Sequence, residues 1–174
     1  MYSLTPQSPS KMTHTRGFTI VEVLVALVVL SIGLLGIAKL VMVSSHANDS
    51  AYLRSQATAM AYQMIDNMRA NLAGASAGNY STALNGTPLL STTCLGTGTQ
   101  CSNLQLAQWD VYSWQTNLSA ALPSGTGSIV TSATSPVTAT VVVQWDDSAA
   151  QAAFGAASAA QTANTQIIIE TVLL

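Results

Sequence analysis

Arg16-Gly17-Phe18-Thr19-Ile20-Val21-Glu22 joins a short basic leader to a long apolar run. From Phe18 to Ala38, a run of 21 residues, Glu22 is the only charge. As a helix at about 1.5 Å per residue the run spans roughly 30 Å, the thickness of a bilayer core. An acid inside a membrane segment is costly, so its default reading is functional. Its bland alternative is a charge near the end of the run that snorkels to the interface. Lys11 and Arg16 precede the run and few bases follow it, which places the N-terminus in the cytoplasm and the remainder outside. A secretory signal peptide would have a shorter apolar region ending in a small-residue cleavage site. Here the run is longer, and Ser31-Ile32-Gly33 is a poor site of that kind.

Composition gives a sparsely charged, mildly acidic chain. Only 7% of the 174 residues are charged, against about a quarter in an average soluble protein. After Gly17, three bases (Lys39, Arg54, Arg69) face seven acids, with no basic cluster. That excludes general nucleic-acid binding, which needs Lys and Arg grouped on phosphates. An enzyme is not expected: one histidine (His46) follows Gly17, and no phosphate loop or nucleophile elbow is present. No cofactor is implied. Asp146-Asp147 lacks neighbouring oxygen ligands for calcium and reads as a solvated turn.

The pattern Gly17-Phe18-Thr19-x-x-Glu22 resembles the cleavage site of type IV prepilins and pseudopilins. The resemblance implies cutting by prepilin peptidase after Gly17 and N-methylation of Phe18. A glycine suits an enzyme that must approach the backbone closely. Glu22 would then pair with the N-terminal ammonium of a neighbouring subunit in an apolar filament core, where an isolated charge is expensive. Counted from Met12, the leader would have the six residues usual for short prepilin leaders, so Met12 is a second candidate start.

Beyond the membrane run no proline interrupts residues 39–72. Leu53, Ala57, Met60, Met64, Met68 and Leu72 recur at steps of three or four, giving one apolar stripe. Asp66 and Arg69 are one turn apart and suited to pairing. Gly74 reads as the stop. A helical pattern this long suits a spanning or filament helix.

Residues 74–103 are rich in Gly, Ser, Thr and Asn and read as an exposed loop. Cys94 and Cys101 lie in it. Their spacing is not a zinc pattern, and an oxidising periplasm favours a disulfide worth about 2–3 kcal/mol; free thiols are the alternative. Ser102-Asn103-Leu104-Gln105 has the form of a capping box. It opens a helix to about Ala121, ended near Pro123. Leu104, Ala107, Val111, Trp114, Leu118 and Leu122 form its apolar stripe. Trp114 is on the stripe and reads as core; Trp109 is open to either core or ligand. Gly125-Thr126-Gly127 marks a turn and residues 128–134 a strand. Val137, Ala139, Val141, Val143 and Trp145 alternate with polar residues as a half-buried strand. Residues 148–165 read as a low-complexity loop or weak helix, and residues 166–174 as a last strand paired with 137–145.

The expected fold is α+β: a long N-terminal helix packed on a small antiparallel sheet, as in type IV pilins. The organisation is a leader over 1–17, a membrane and filament-core helix over 18–43, its amphipathic half over 44–73, and a head over 74–174. Further resemblance lies in Asp66-Asn67-Met68-Arg69-Ala70-Asn71, in Cys101-Ser102-Asn103-Leu104-Gln105-Leu106-Ala107 with Asp110 and Trp114, in Leu122-Pro123-Ser124-Gly125-Thr126-Gly127, and in Val143-Gln144-Trp145-Asp146. These resemble the PilV group of minor pilins. One departure is Asn67, where that group often carries a second arginine. The resemblance implies a single-pass inner-membrane subunit, later in the surface pilus. Its partners would be the peptidase, other minor pilins, the major pilin and the assembly platform, and its roles priming, adhesion and twitching motility. A minor pseudopilin of type II secretion and a ligand-binding tip subunit are the alternatives.

Overall fold

The computed structural model describes residues 17–87, 89–90, 94, 100–148 and 164–173. Residues 1–16 of the expected leader, most of the disulfide loop and the segment 149–163 lie outside the described residues. Two units are distinguishable, Met1–Leu40 and Val41–Leu174. In the first, the described part is the opening of helix α1, which runs Ile20–Ala70 over 51 residues. The second holds the rest of α1, a short helix α2 (Leu72–Ser76), helix α3 (Asn103–Ala121), and strands β1 (Thr126–Thr131), β2 (Thr138–Asp146) and β3 (Asn164–Val172). The strands form one antiparallel sheet in the order β1-β2-β3. A long helix on a small antiparallel sheet is the α+β type IV pilin fold expected from the sequence.

The α1 stripe is real and wider than its spacing suggests. Ala57, Ala61, Met64, Ile65 and Met68 are buried, and Leu53, Met60 and Leu72 pack at the margin. The sheet answers with Ile129 from β1 and Ala139, Val141, Val143 and Trp145 from β2, each nearly or wholly inaccessible. On β2 burial alternates strictly, as the period of two requires. Two hydrogen bonds set the course of α1 over the sheet. Ser50 Oγ donates to Asp147 Oδ2 at 2.6 Å, just past the end of β2. Arg69 Nη2 donates to Thr171 Oγ1 at 3.4 Å, and Thr171 is paired with Ala139 at the opposite end. From Ser50 to Arg69 the helix rises about 28 Å. From Ala139 to Asp147 the strand covers about 26 Å. The helix therefore runs along the full length of β2, in the opposite direction. Asp66 and Arg69 pair at 3.2 Å on its exposed face.

Several boundaries differ from expectation, each for a local reason. Helix α1 ends at Ala70 and Gly74 is not its stop: Asn71 leaves helical geometry, and its side chain accepts the Gly74 N–H to cap α2. Residues 74–87 are not simply an exposed loop, because Tyr80 is fully buried and Thr82 bridges to Ile129. At α3 both halves of the Ser102–Gln105 capping box form. Leu122, extended before Pro123, ends it. Ala107, Val111, Trp114, Leu118 and Leu122 are buried, but Leu104 is exposed at the helix entrance, a turn before the stripe meets the core. Strand β1 starts at Thr126, inside the expected turn, because Gly127 lies flat against the Trp114 ring.

Trp114 also donates its indole N–H to the Met60 carbonyl at 3.0 Å, linking α3 to α1. A Cβ at residue 127 would collide with this ring. Gly127→Ala is expected to destabilise the protein by about 1–3 kcal/mol through overpacking. Thermal unfolding of the detergent-solubilised chain, followed by circular dichroism, checks this; an unchanged midpoint would refute the packing account.

Candidate functional site

The N-terminal segment is built around the first turn of α1. The Thr19 hydroxyl accepts the Glu22 N–H at 3.2 Å, and its carbonyl accepts the Val23 N–H at 3.3 Å. Thr19 thus caps the helix and Glu22 is its third residue. A carboxylate there also faces the positive end of the helix dipole. The signal for this, Thr-x-x-Glu ahead of an apolar run, is in the sequence but is overshadowed by the membrane reading of Glu22. Phe18 is exposed, and a Cβ added at Gly17 would meet nothing within 4 Å. The chain's own packing therefore does not demand glycine at residue 17.

From Ile20 to Met42 every residue is exposed, the large apolar ones included. By length and composition α1 is the one candidate membrane span among the described residues, and its most apolar window has no burial inside the chain. An apolar helical surface of this length has no stable exposure in water and must meet lipid or other helices.

In the head, Cys94 and Cys101 are bonded, with Cα atoms 5.9 Å apart. The solvated turn expected at Asp146-Asp147 holds for Asp146 but not for Asp147. Asp147 is buried and engaged by Ser50, while Asp146 accepts the Ser148 N–H at 2.9 Å, which holds its carboxyl below the usual range. His46 and Asp49 line a cleft of about 320 Å³ beside these two acids. No group of three or more metal-ligating side chains occurs among the described residues. Trp109 is half-buried, its ring 6.1 Å from that of Tyr112.

The densest polar cluster joins the end of α1 to α3. Tyr80 donates its hydroxyl hydrogen to Asp110 Oδ2 at 2.7 Å. Asn71 Nδ2 donates to the Tyr80 oxygen (3.2 Å) and to the Asn103 carbonyl (2.8 Å). Burial raises the Asp110 carboxyl above its usual value, outweighing the opposing hydrogen bond from Tyr80. Burial, reinforced by Asp110, raises the Tyr80 hydroxyl well above its own. Both groups are thus held in their proton-bearing direction, which suits a structural tie. Sequence reasoning singled out Asn71 and Asp110 by resemblance but missed Tyr80, which sits in a stretch that reads as loop.

Residues 12–38 match the family model described as the prokaryotic N-terminal methylation motif. Residues 40–112 match the Tt1218-like family, described as type IV pilin Tt1218. No curated protein and no solved structure matches the chain. Together with the fold, the two matches support a type IV pilin, a structural subunit anchored by its apolar helix. The methylation motif implies processing by prepilin peptidase and assembly with other pilins.

The buried tie predicts a specific pH response. The folded chain holds the Asp110 proton to higher pH than the unfolded chain, whose carboxyl titrates near 3.8. The unfolded state then binds fewer protons, so this contribution to stability falls as pH rises above 3.8 through the raised value. Asp110→Asn keeps an acceptor for Tyr80 and removes the titration. The difference between wild-type and variant melting points is expected to grow with pH over that window and then level off. Tyr80→Phe leaves Asp110 buried without its donor and is expected to cost about 1–3 kcal/mol, read from the same melts.

Proposed function

We propose that the protein is a minor pilin of the type IV pilus, cut after Gly17 and N-methylated at Phe18. The observation that carries this reading is the unpartnered apolar surface from Ile20 to Met42, interrupted by a single acid directly behind the cleavage motif. In the inner membrane, lipid covers that surface; in a filament, neighbouring helices replace lipid. Orientation follows from Lys11 and Arg16, with the N-terminus cytoplasmic and the head periplasmic. The leader is 1–17, the core helix 18–43, its amphipathic half 44–73 and the head 74–174.

Cleavage exposes a new ammonium at Phe18, and Glu22 of the adjacent subunit supplies its counter-charge. Thr19 positions Glu22 for this by starting the helix where the carboxylate clears the first turn. The lack of any internal packing demand at Gly17 supports a requirement set by the peptidase instead.

The residues that resemble the PilV group take architectural roles. Asn71 and Asp110 build the buried tie, Trp114 joins α3 to α1, Gly127 makes room for its ring, and Trp145 is fully buried. Their coincidence with the head's framework supports a PilV-like subunit. Such a subunit would join other minor pilins in priming assembly of the major pilin at the platform, and so serve adhesion and twitching motility. A minor pseudopilin of type II secretion would share the cleavage site and the helix.

Glu22→Gln keeps a side chain compatible with the helix cap and removes the charge. It is expected to be cleaved normally and yet to be nearly absent from sheared pili, scored by immunoblot. Incorporation at wild-type level would defeat the pairing role. Gly17→Val is expected to accumulate uncleaved precursor in membranes. Deletion of the gene is expected to abolish surface pili and twitching; lost exoprotein secretion with normal pili would assign the chain to a pseudopilus.

A further inference from the structure

The charges of helix α1 are Glu22, Lys39, Asp49, Arg54, Asp66 and Arg69. Among the described residues one ion pair forms, Asp66 with Arg69. Arg54 and Asp49 are both exposed, and neither side chain has a partner among the described residues. Five residues apart on a helix, they are turned about 140° from each other, so they do not meet within one chain. Asp49 lines the cleft of about 320 Å³ together with His46, Leu53, Asp146 and Asp147. Asp147 is already engaged by Ser50. No lysine or arginine is among the described residues that line the cleft. One side of α1 therefore carries a base without an anion, and another side borders acids without a cation.

Two complementary surfaces on different sides of one molecule make a head-to-tail contact, which repeats along an assembly without turning any subunit over. We propose that Arg54 of one subunit docks in the Asp49–Asp146 cleft of a second copy of this chain. The second copy stands parallel to the first, displaced by five residues in the C-terminal direction of α1. Within the head this is a rise of about 7.5 Å. Packed helices lie about 8–10 Å apart, a gap that an arginine side chain spans. Its planar guanidinium carries five donors, enough to serve both carboxylates. The inference rests on the pilin reading above, which supplies the register independently. Glu22 of one subunit meets the Phe18 ammonium of the next when the next is displaced by four residues in the same direction, within one residue of what Arg54 and Asp49 require. Lys39, which also lacks a partner among the described residues, is ten residues from Asp49. A displacement of ten would set Glu22 opposite residue 12, beyond the cleaved end. The occupant is a second copy because both halves of the contact are on this chain and agree with the register of its anchor. All anchors keep one direction, so the contact forms in a single membrane and passes unchanged into a filament.

Thiol cross-linking of the full-length protein in piliated cells tests the contact and its polarity while leaving both charges in place. Ala51 is exposed and three residues before Arg54, on the same side of the helix. Ser148 is exposed and lines the cleft. A chain carrying both Ala51→Cys and Ser148→Cys is expected to give a ladder of dimers, trimers and longer species with a short bismaleimide. Either single variant is expected to stay monomeric, and the two single variants co-expressed to give a dimer. Arg54→Glu in the doubly labelled chain is expected to cut linking about fivefold. Adding Asp49→Arg is expected to restore it, a recovery that a folding defect would not show. Self-linking of either single variant would make the contact symmetric and overturn the proposal, as would a link to a different pilin in place of the ladder, or linking insensitive to Arg54→Glu. No linking while the wild-type chain is recovered from sheared pili would overturn this contact alone. Absence of the wild-type chain from pili would overturn the pilin reading and the contact with it.

Discussion

The structure depends on one stripe of α1 being buried against the sheet. Ala57, Ala61, Met64, Ile65 and Met68 present small and flexible side chains to β2. The small ones allow close approach, and the methionines fill what the rigid valines and Trp145 leave. Everything else in the head is arranged around that contact. Helix α3 lies where Trp114 can reach the Met60 carbonyl, β1 begins where Gly127 admits the Trp114 ring, and β3 lies where Arg69 reaches Thr171. Upstream of Val41 the same helix has no such partner. One element thus carries two unlike burial demands, one met within the chain and one left for lipid or other subunits.

The buried polar residues Asn71 and Asp147 stand where the chain changes direction. Asn71 stands at the break between α1 and α2, and its amide both caps α2 and reaches the Tyr80 hydroxyl and the Asn103 carbonyl. Burial raises the Asp110 carboxyl above its usual value and pushes the Tyr80 hydroxyl well above its own. Donors and acceptors are matched, so the cost of burying them is largely recovered, and the break at Asn71 is held in one geometry.

Much of this was legible in advance. The helix through the apolar run, the apolar stripe of α1, the capping box at Ser102 and the alternation of β2 are local patterns, with periods set by helix or strand geometry, and the structure reproduces each. The disagreements fall where local pattern is silent. Gly74 looks like a stop, yet Asn71 takes that role because its side chain has a tertiary partner to hold. Asp147 looks solvated, yet Ser50, far away in sequence, covers it. Tyr80 looks like part of a loop, yet its hydroxyl finds Asp110 thirty residues on.

The sequence alone determined the expectation of a membrane-anchored pilin with a leader cut after Gly17. A basic flank, a glycine, a bilayer-length apolar run and one misplaced acid are consecutive, and their chemistry needs no fold to be recognised. It also determined the helix–sheet architecture, because the apolar periods of α1, α3 and β2 are each written within a few turns. Only the tertiary structure decided that the outer edge of β1 is closed and in which direction each residue of β3 aims its backbone groups. That depends on Thr82, Ser81 and Gln115 reaching β1 from other segments, and on the parity with which β3 bonds to β2. Hydrogen-bond direction in a strand is set by its neighbour, so no reading of Gln166–Glu170 in isolation could assign an outward edge to Ile168.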